Sequence, residues 1–595
     1  MQALNTQALP PWIARYTQSL TEGGFLYHGL AALTTLWATR ILVAGSYYSV
    51  WDLLWYGKPL PGIAPLVAFI LAMPLARGSW SRILLLPLAG AVLAFGDDVR
   101  MLAVPAALAA AAGVSILQSS RGRLLPALAL GMSLDLLMHV ATRGIDPVEY
   151  LPGRLFLAGV TVILALWGPE GEYPSFRLTG VITALELGLA YPSALLHYTG
   201  HEVYSLGFYA ITGLLAVLAL FIGGLLARLH RDMPVLVVLV FAGMVLEGDI
   251  GLGLVLLSLA GLGALLVYER SGSRLGALAG GVWLVLAGFL GVAVYTYPYV
   301  GLWFMAERME LVLLAAMIAA AAAGWPSEDE YSELAREELV IGGRELSPVA
   351  LGVLALALSM VLQAPPVAVQ PGESGVVDAY TLNLHQGYDW RGRLNGREAV
   401  SLIVDVVKGG GVVCLQEVDA GRLTSMYIDM PLALQSRGVV VAYQPAIEGT
   451  YGVAIAGPQG LEKVGGVLLP STGEQRAAVK ANASGIIAVS AHLGLNPGER
   501  AVQAQALVDY ALKMPEALLL CGDFNEPEGA ALEYISRYYT IAWPPGATCC
   551  LGTGENTTID FIAVREGTGV VEEVNVVPAP SDHMMVHARI RLLEG

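Results

Sequence analysis

Asp523 and Asn525 stand at the tip of the run LLLCGDFNEP, Leu518 to Pro527, where a short apolar stretch stops at Gly522. Such a run reads as a buried strand, and residues two apart on an extended chain point the same way, so a carboxylate and an amide here can address one ligand. Gly, Asp and Asn also make ordinary turns. The surrounding third of the chain repeats the arrangement. Asn383 comes late in VVDAYTLNLHQGYD, Glu417 ends GVVCLQEVD, Tyr451 opens GTYGVAIAG, His492 ends IIAVSAHLG, Asp560 lies in TTIDFIAV, and Asp582 and His583 precede the last strand in PSDHMMVHARI. Glu417 with Asn383 offers hard oxygen donors, a set for Mg²⁺ or Mn²⁺ and not for zinc. Histidines, an amide and carboxylates are what phosphoryl chemistry needs: donors for phosphate oxygens, a carboxylate for water, and a metal to offset charge.

Strands must position these groups. Between His492 and Asp523 lies one helical segment, GERAVQAQALVDYALKM, and strands interleaved with helices argue for an α/β or α+β layered domain over residues 376–595. Four cysteines are too few for a disulfide scaffold; Cys414 and Cys521 lie inside strand-like runs and read as buried thiols, while the adjacent Cys549 and Cys550 have no reading.

The preceding 364 residues differ in kind. The chain of 595 residues is 55% hydrophobic and 14% charged, too apolar to be water-soluble throughout. The apolar content gathers into thirteen runs from 24–46 to 348–364, one of them 178–197, so residues 1–364 read as a polytopic all-α membrane domain. The stretch before the first run shows no small-residue cleavage pattern, so that run reads as a retained span. Residues 365–375 form a Pro- and Gly-containing linker. Alternate loops hold twelve Lys and Arg on one side and five on the other. Positive charge marks the cytoplasmic face, which puts the N-terminus inside and the catalytic domain outside. Ser327 and Glu330 have capping-box spacing in the longest inner loop. Arg40, Asp135, His139 and Glu186 fall inside spans, where each costs at least ~2.5 kcal/mol unless satisfied. They read either as pairs that hold the bundle together or as a polar cavity that binds substrate near the outer domain.

TLNLHQG, LQEVD, AHLG, GDFN, IDFI and SDH, in that order over about residues 376–593, resemble the successive motifs of the endonuclease/exonuclease/phosphatase superfamily. NLHQGYD, LQEVDAGR and TYGVAI behind a large membrane domain are further similar to the calcofluor-white-hypersensitive family, which acts in remodelling the lipid of GPI anchors. The resemblance implies a DNase I-like four-layer β-sandwich. It also implies roles: Glu417 and Asn383 on the metal with help from Asp582, Asp523 as base for the attacking water, Asn525 and His492 on the phosphate, and His583 aligned by Asp560 as donor. The chain departs after Tyr451 and Gly452, where Ala456-Gly457-Pro458 replaces a polar turn, so Arg476 is a candidate replacement contact.

The expected activity is a membrane-anchored phosphodiesterase or phosphatase acting on a membrane lipid or glycolipid. The outer domain carries 15 Lys and Arg against 25 Asp and Glu, and this acidity argues against nucleic acid as partner. A nuclease and a non-catalytic lipid-binding protein are the alternatives; the complete set of catalytic residue types favours an enzyme.

Overall fold

The computed structural model describes residues 24–56, 63–120, 123–268, 271–323, 325–336, 343–368, 375–483, 486–513, 517–550 and 556–593. Among them, six helices are long and apolar enough to cross a membrane: Phe25–Tyr48, Val99–Gln118, Leu124–Thr142, Leu206–Leu226, Gly248–Val267 and Arg274–Val300. Shorter apolar helices accompany them, among them Ile63–Ala72 and Met309–Ala322. Exposed Leu71, Trp80, Leu166, Trp167 and Leu286 ring the outside, the reverse of a water-soluble bundle. The expected single span 178–197 is broken: Phe176–Leu189 and Pro192–Tyr198 meet at 67°. Gly188 takes a φ of 131°, which side chains disfavour, and Pro192 starts the second piece without an amide to complete the first. The expected capping box is present, with Glu330 accepting from the Ser327 amide at 2.8 Å.

Residues 376–592 form two six-stranded sheets packed face to face. The first has the order β11 (Gly569–Val577), β12 (Met585–Leu592), β1 (Val376–Asn383), β2 (Val412–Asp419), β4 (Tyr451–Gly457) and β3 (Val440–Ile447). The second runs β5 (Leu461–Leu469), β6 (Arg476–Ala483), β7 (Ile486–His492), β8 (Ala517–Asp523), β10 (Asp560–Arg565) and β9 (Tyr539–Ala542). Thr381, Val479, Leu519 and the free thiols Cys414 and Cys521 fill the space between them. Helix Gly396–Lys408 covers the first sheet through Ala399, Val400, Ile403 and Val407, and Leu507 and Val508 of helix Pro497–Leu512 cover the second, giving the four layers.

The two-sheet domain sits on one end of the bundle. Glu149 accepts from the Arg397 amide at 2.7 Å, Glu448 from the Met309 amide at 3.0 Å, and Tyr297 donates to the Gly473 carbonyl at 3.2 Å. The loops carrying Arg77 and Arg231 join other bundle segments instead, through Gly78 to Gly171 at 2.9 Å and Arg231 to Glu328 at 3.2 Å. Asp429 is the most heavily committed joint residue. Fully buried, its carboxylate accepts from the Leu432 amide at 2.8 Å, from Tyr204 and from His197 at 3.3 Å, while its own amide donates to Gly144 at 3.0 Å. Removing one member of a buried charged cluster costs ~3–5 kcal/mol. Asp429→Ala is therefore expected to lower the thermal stability of the detergent-solubilised protein by about that much, read as a fall of several degrees in melting temperature; an unchanged melt would remove Asp429 from this role.

Candidate active site

Parallel pairing of β7 with β8 puts His492 beside Asp523, and antiparallel pairing of β8 with β10 puts Asp560 on its other side. Across the sandwich, Asn383 at the end of β1 donates through Nδ2 to Asp523 Oδ2 at 3.0 Å and to Glu417 Oε1 at 3.2 Å. Glu417 is not a simple strand end. The ladder between β2 and β4 slips between Leu415 and Val418, and Glu417 takes a φ of 50°, so a bulge re-aims its carboxylate. Its second oxygen accepts from Gln386 Nε2 at 3.1 Å.

The alternation expected for Asp523 and Asn525 is absent. The strand ends at Asp523, and Asn525 turns into left-handed backbone with φ 51°, its amide donating to Asp523 Oδ1 at 2.8 Å. Short polar side chains tolerate that conformation and bond their own backbone. The two nonetheless meet one ring: Asn525 Nδ2 lies 3.1 Å and Asp523 Oδ2 3.5 Å from His492 Nε2.

His583 Nδ1 bonds Asp560 Oδ2 at 2.9 Å, leaving Nε2 3.8 Å from Asp523 and 3.9 Å from Asp582. Burial disfavours its charge, but Asp560, Asp582 and Asp523 outweigh that and hold the imidazolium well above the usual histidine range. Burial first, then the charge of Asp560, pushes Asp523 up to about 7. His492 goes the other way: burial, then the Arg476 guanidinium 3.0 Å from Nδ1, lowers it and keeps it neutral.

Glu417, His492, Asp523, Asn525, Asp582 and His583 line a cleft of about 460 Å³ together with Tyr451 and Arg476. Arg476 is buried with its Nε unpartnered. Sequence reasoning missed a second arginine, Arg422, held by Asp419 at 3.2 Å, flanked by the rings of Tyr451 and Tyr295, and with Nη2 unpartnered. Its only signal was its place within LQEVDAGR. Two buried guanidinium groups with free donors suit a phosphate. The missed wall comes from the bundle: Tyr47, Tyr295 and Tyr299, the last bonded to Glu474 at 3.0 Å. Cys549 and Cys550, which form a disulfide with each other, line the cleft as well.

Of the two readings of the polar span residues, the structure has the paired one, and Arg40, Asp135, His139 and Glu186 are not among the residues lining this cleft. Arg40 Nε lies 3.0 Å from Asp146, its Nη2 3.3 Å from Asp135, and His139 Nδ1 3.4 Å from Asp135. Glu186 accepts from Tyr191, whose ring stacks on Tyr427 of the two-sheet domain. This buried cluster joins helices to one another and to the domain above.

Two groupings have the chemistry to hold a cation. Asp523, Asp560 and His583 offer ligand atoms within 4.8 Å of one another, and Asp560 Oδ1 is a buried oxygen without a partner. Glu417 is the other. Asn383, expected beside it as an oxygen ligand, instead presents its Nδ2, because its Oδ1 accepts from the His385 amide at 2.9 Å. Carboxylates without thiolates fit a hard divalent ion.

Residues 381–583 match the model of the endonuclease/exonuclease/phosphatase family. No curated protein matches the chain. Among solved structures, a Bacteroides vulgatus endonuclease/exonuclease/phosphatase is similar at 17% identity and TM-score 0.30, covering 37% of this chain and 99% of its own. One from Beutenbergia cavernae is 18% identical, with TM-score 0.28 and coverages of 36% and 72%. The inositol polyphosphate 5-phosphatase domain of a synaptojanin, solved with inositol (1,4)-bisphosphate and calcium, is 14% identical, with TM-score 0.25 and coverages of 36% and 84%. Strand-end carboxylates, histidines and amides gathered on one cleft, over the segment that the family model matches, make residues 381–583 an endonuclease/exonuclease/phosphatase domain, here set on a bundle of apolar helices.

Proposed function

We propose that this protein is a membrane-anchored, metal-dependent phosphoesterase that hydrolyses a phosphate ester of a membrane lipid or glycolipid, as in remodelling of the lipid part of a GPI anchor. The observation that carries the reading is the shared wall of the cleft: Tyr47, Tyr295 and Tyr299 come from helices of the bundle. A phosphate held there lies at the bundle's end, where lipid headgroups are. The acidic domain and the helical wall disfavour a long polyanion, which needs an open basic track. The arginine-poor bundle end lies beneath the domain, and this supports a location outside the cytoplasm, with positive charge facing in.

Arg422 and Arg476 would bind the phosphate, and Asn525 and His492 would fix its orientation. Asp523 would take a proton from the attacking water, and the His583 imidazolium, aligned by Asp560, would donate to a phosphate oxygen or to the leaving oxygen. Glu417 would hold Mg²⁺ or Mn²⁺, with Asp582 assisting, and the ion would offset phosphate charge.

Asp523→Asn is expected to lower kcat by roughly 10²–10⁴-fold with little change in KM, the loss typical of a general base. Equal loss of substrate binding, measured by inhibition with a non-hydrolysable analogue, would mark the residue as structural. Glu417→Gln preserves shape and removes charge. It should move the Mg²⁺ activation curve upward by at least about 10-fold, the range seen when metal-supporting groups are lost; a curve superimposable on wild type would exclude Glu417 as ligand. The third outcome concerns pH. His583 must be protonated, so activity falls as pH rises through its raised pKa; Asp560→Asn removes the main raising charge and should shift the alkaline limb of kcat to lower pH. An unmoved limb would assign the proton to another group.

A further inference from the structure

One apolar feature of the bundle is unused by this chemistry. A groove runs between helices Phe25–Tyr56 and Arg274–Val300, lined by Leu42, Val43, Leu66, Leu284, Phe289 and Val292. Its wall on the second helix extends from Leu284 to Val300, about 24 Å at 1.5 Å per residue. One leaflet's hydrocarbon is only ~15 Å deep, half of the usual ~30 Å core. Free space inside is about 100 Å³, several times the ~10–15 Å³ that a single water needs, yet the lining is nearly all hydrocarbon.

Two residues tie the groove to the site. Tyr47 and Thr296 line both the groove and the catalytic cleft. At Thr296 the helix leaves regular geometry, with φ −107° and Pro298 following, so its last turn carries Tyr299 to the cleft while the turns below face the groove. The groove opens sideways at Phe289, which is 48% exposed next to the outward-facing Leu286.

Gly288 keeps it open. A Cβ at Gly281 would approach Met73 at 3.0 Å and one at Gly291 would approach Leu187 at 2.8 Å, so those glycines serve helix packing. A Cβ at Gly288 would meet nothing within 4 Å. Its missing side chain is therefore not required by a neighbouring helix, although glycine costs about 1 kcal/mol relative to alanine in a helix.

We propose that this groove seats an acyl chain of the substrate lipid, entering from the bilayer past Phe289 and leading up to a phosphate held by Arg422 and Arg476. The proposal rests on the lipid phosphoesterase reading and makes the bundle part of substrate recognition: chain burial holds the ester in place, and a soluble ester forgoes that binding energy.

The test uses the full-length protein in mixed micelles with Mg²⁺. Turnover of phosphatidylinositol is compared with that of bis(p-nitrophenyl) phosphate, and photolabelling is done with phosphatidylinositol carrying a diazirine in one acyl chain. Gly288→Leu fills the groove, Val292→Phe narrows it from the same wall, and Gly159→Leu, at another position with nothing within 4 Å of its Cβ, controls for an added leucine on an apolar helix. Expected is acyl labelling concentrated on residues 284–296, and at least a 10-fold fall in both labelling and the lipid-to-soluble turnover ratio for Gly288→Leu or Val292→Phe but not Gly159→Leu. Phosphatidylinositol hydrolysis and labelling that both groove variants leave as in wild type would overturn the groove while leaving the lipid reading intact. A wild-type enzyme that hydrolyses the soluble ester but neither hydrolyses nor is groove-labelled by the phospholipid would overturn both.

Discussion

Two buried carboxylates face each other across adjacent strands. Asp523 and Asp560 are both buried, and their register puts them directly opposite. Burial first, and then the neighbouring charge of Asp560, disfavours the ionised form of Asp523 and pushes it up to about 7. Compensation comes from the first sheet and from the loop before the last strand: Asn383 donates to Asp523 at 3.0 Å, and His583 bonds Asp560 at 2.9 Å. The site therefore exists only when both sheets are packed, because the acids belong to one sheet and Asn383 and Glu417 to the other. A carboxylate whose proton affinity is near neutrality and an imidazole kept protonated are a base and an acid set apart by their surroundings.

The same logic governs the joint between the halves. Arg40, Asp135, His139 and Asp146 form a buried charged cluster within the bundle, and Asp429 closes a second one against His197 and Tyr204. Such clusters are costly to bury and costlier to break, so they define one way for the parts to meet more than they add stability. The result is a cleft whose floor is soluble-type chemistry and whose wall is aromatic residues of apolar helices. Tyr297 and Tyr299 bond to Gly473 and Glu474, which leads directly into Arg476. A shift of helix Arg274–Val300 would thus be felt at Arg476.

Much of the site could be read from single strands. Asn383, His492, Asp523 and Asp560 lie at strand ends because a sandwich of parallel and antiparallel strands brings its functional groups to one edge, and apolar runs that stop abruptly reveal where those edges are. The reading of Asp523 and Asn525 reached the right pairing through the wrong geometry: strand alternation was invoked, whereas a left-handed turn at Asn525 does the work. Glu417 is re-aimed by a bulge, and no local pattern in GVVCLQEVD marks one. Asn383 has the right place, but with its oxygen taken by the His385 amide it steadies carboxylates instead of offering them a fellow ligand.

The sequence by itself determined the two halves, the apolar helices and the strand-end residues, because hydrophobic periodicity and length depend on neighbours along the chain. Tertiary structure alone decided which distant groups complete the cleft. Arg422, Tyr47, Tyr295 and Tyr299 enter it through packing of elements hundreds of residues apart, and Arg40, Asp135, His139 and Glu186 were drawn away from it into partners of their own. Charge in an apolar medium must find a partner wherever the fold places one, and that partner is a property of the packed helices and not of the local sequence.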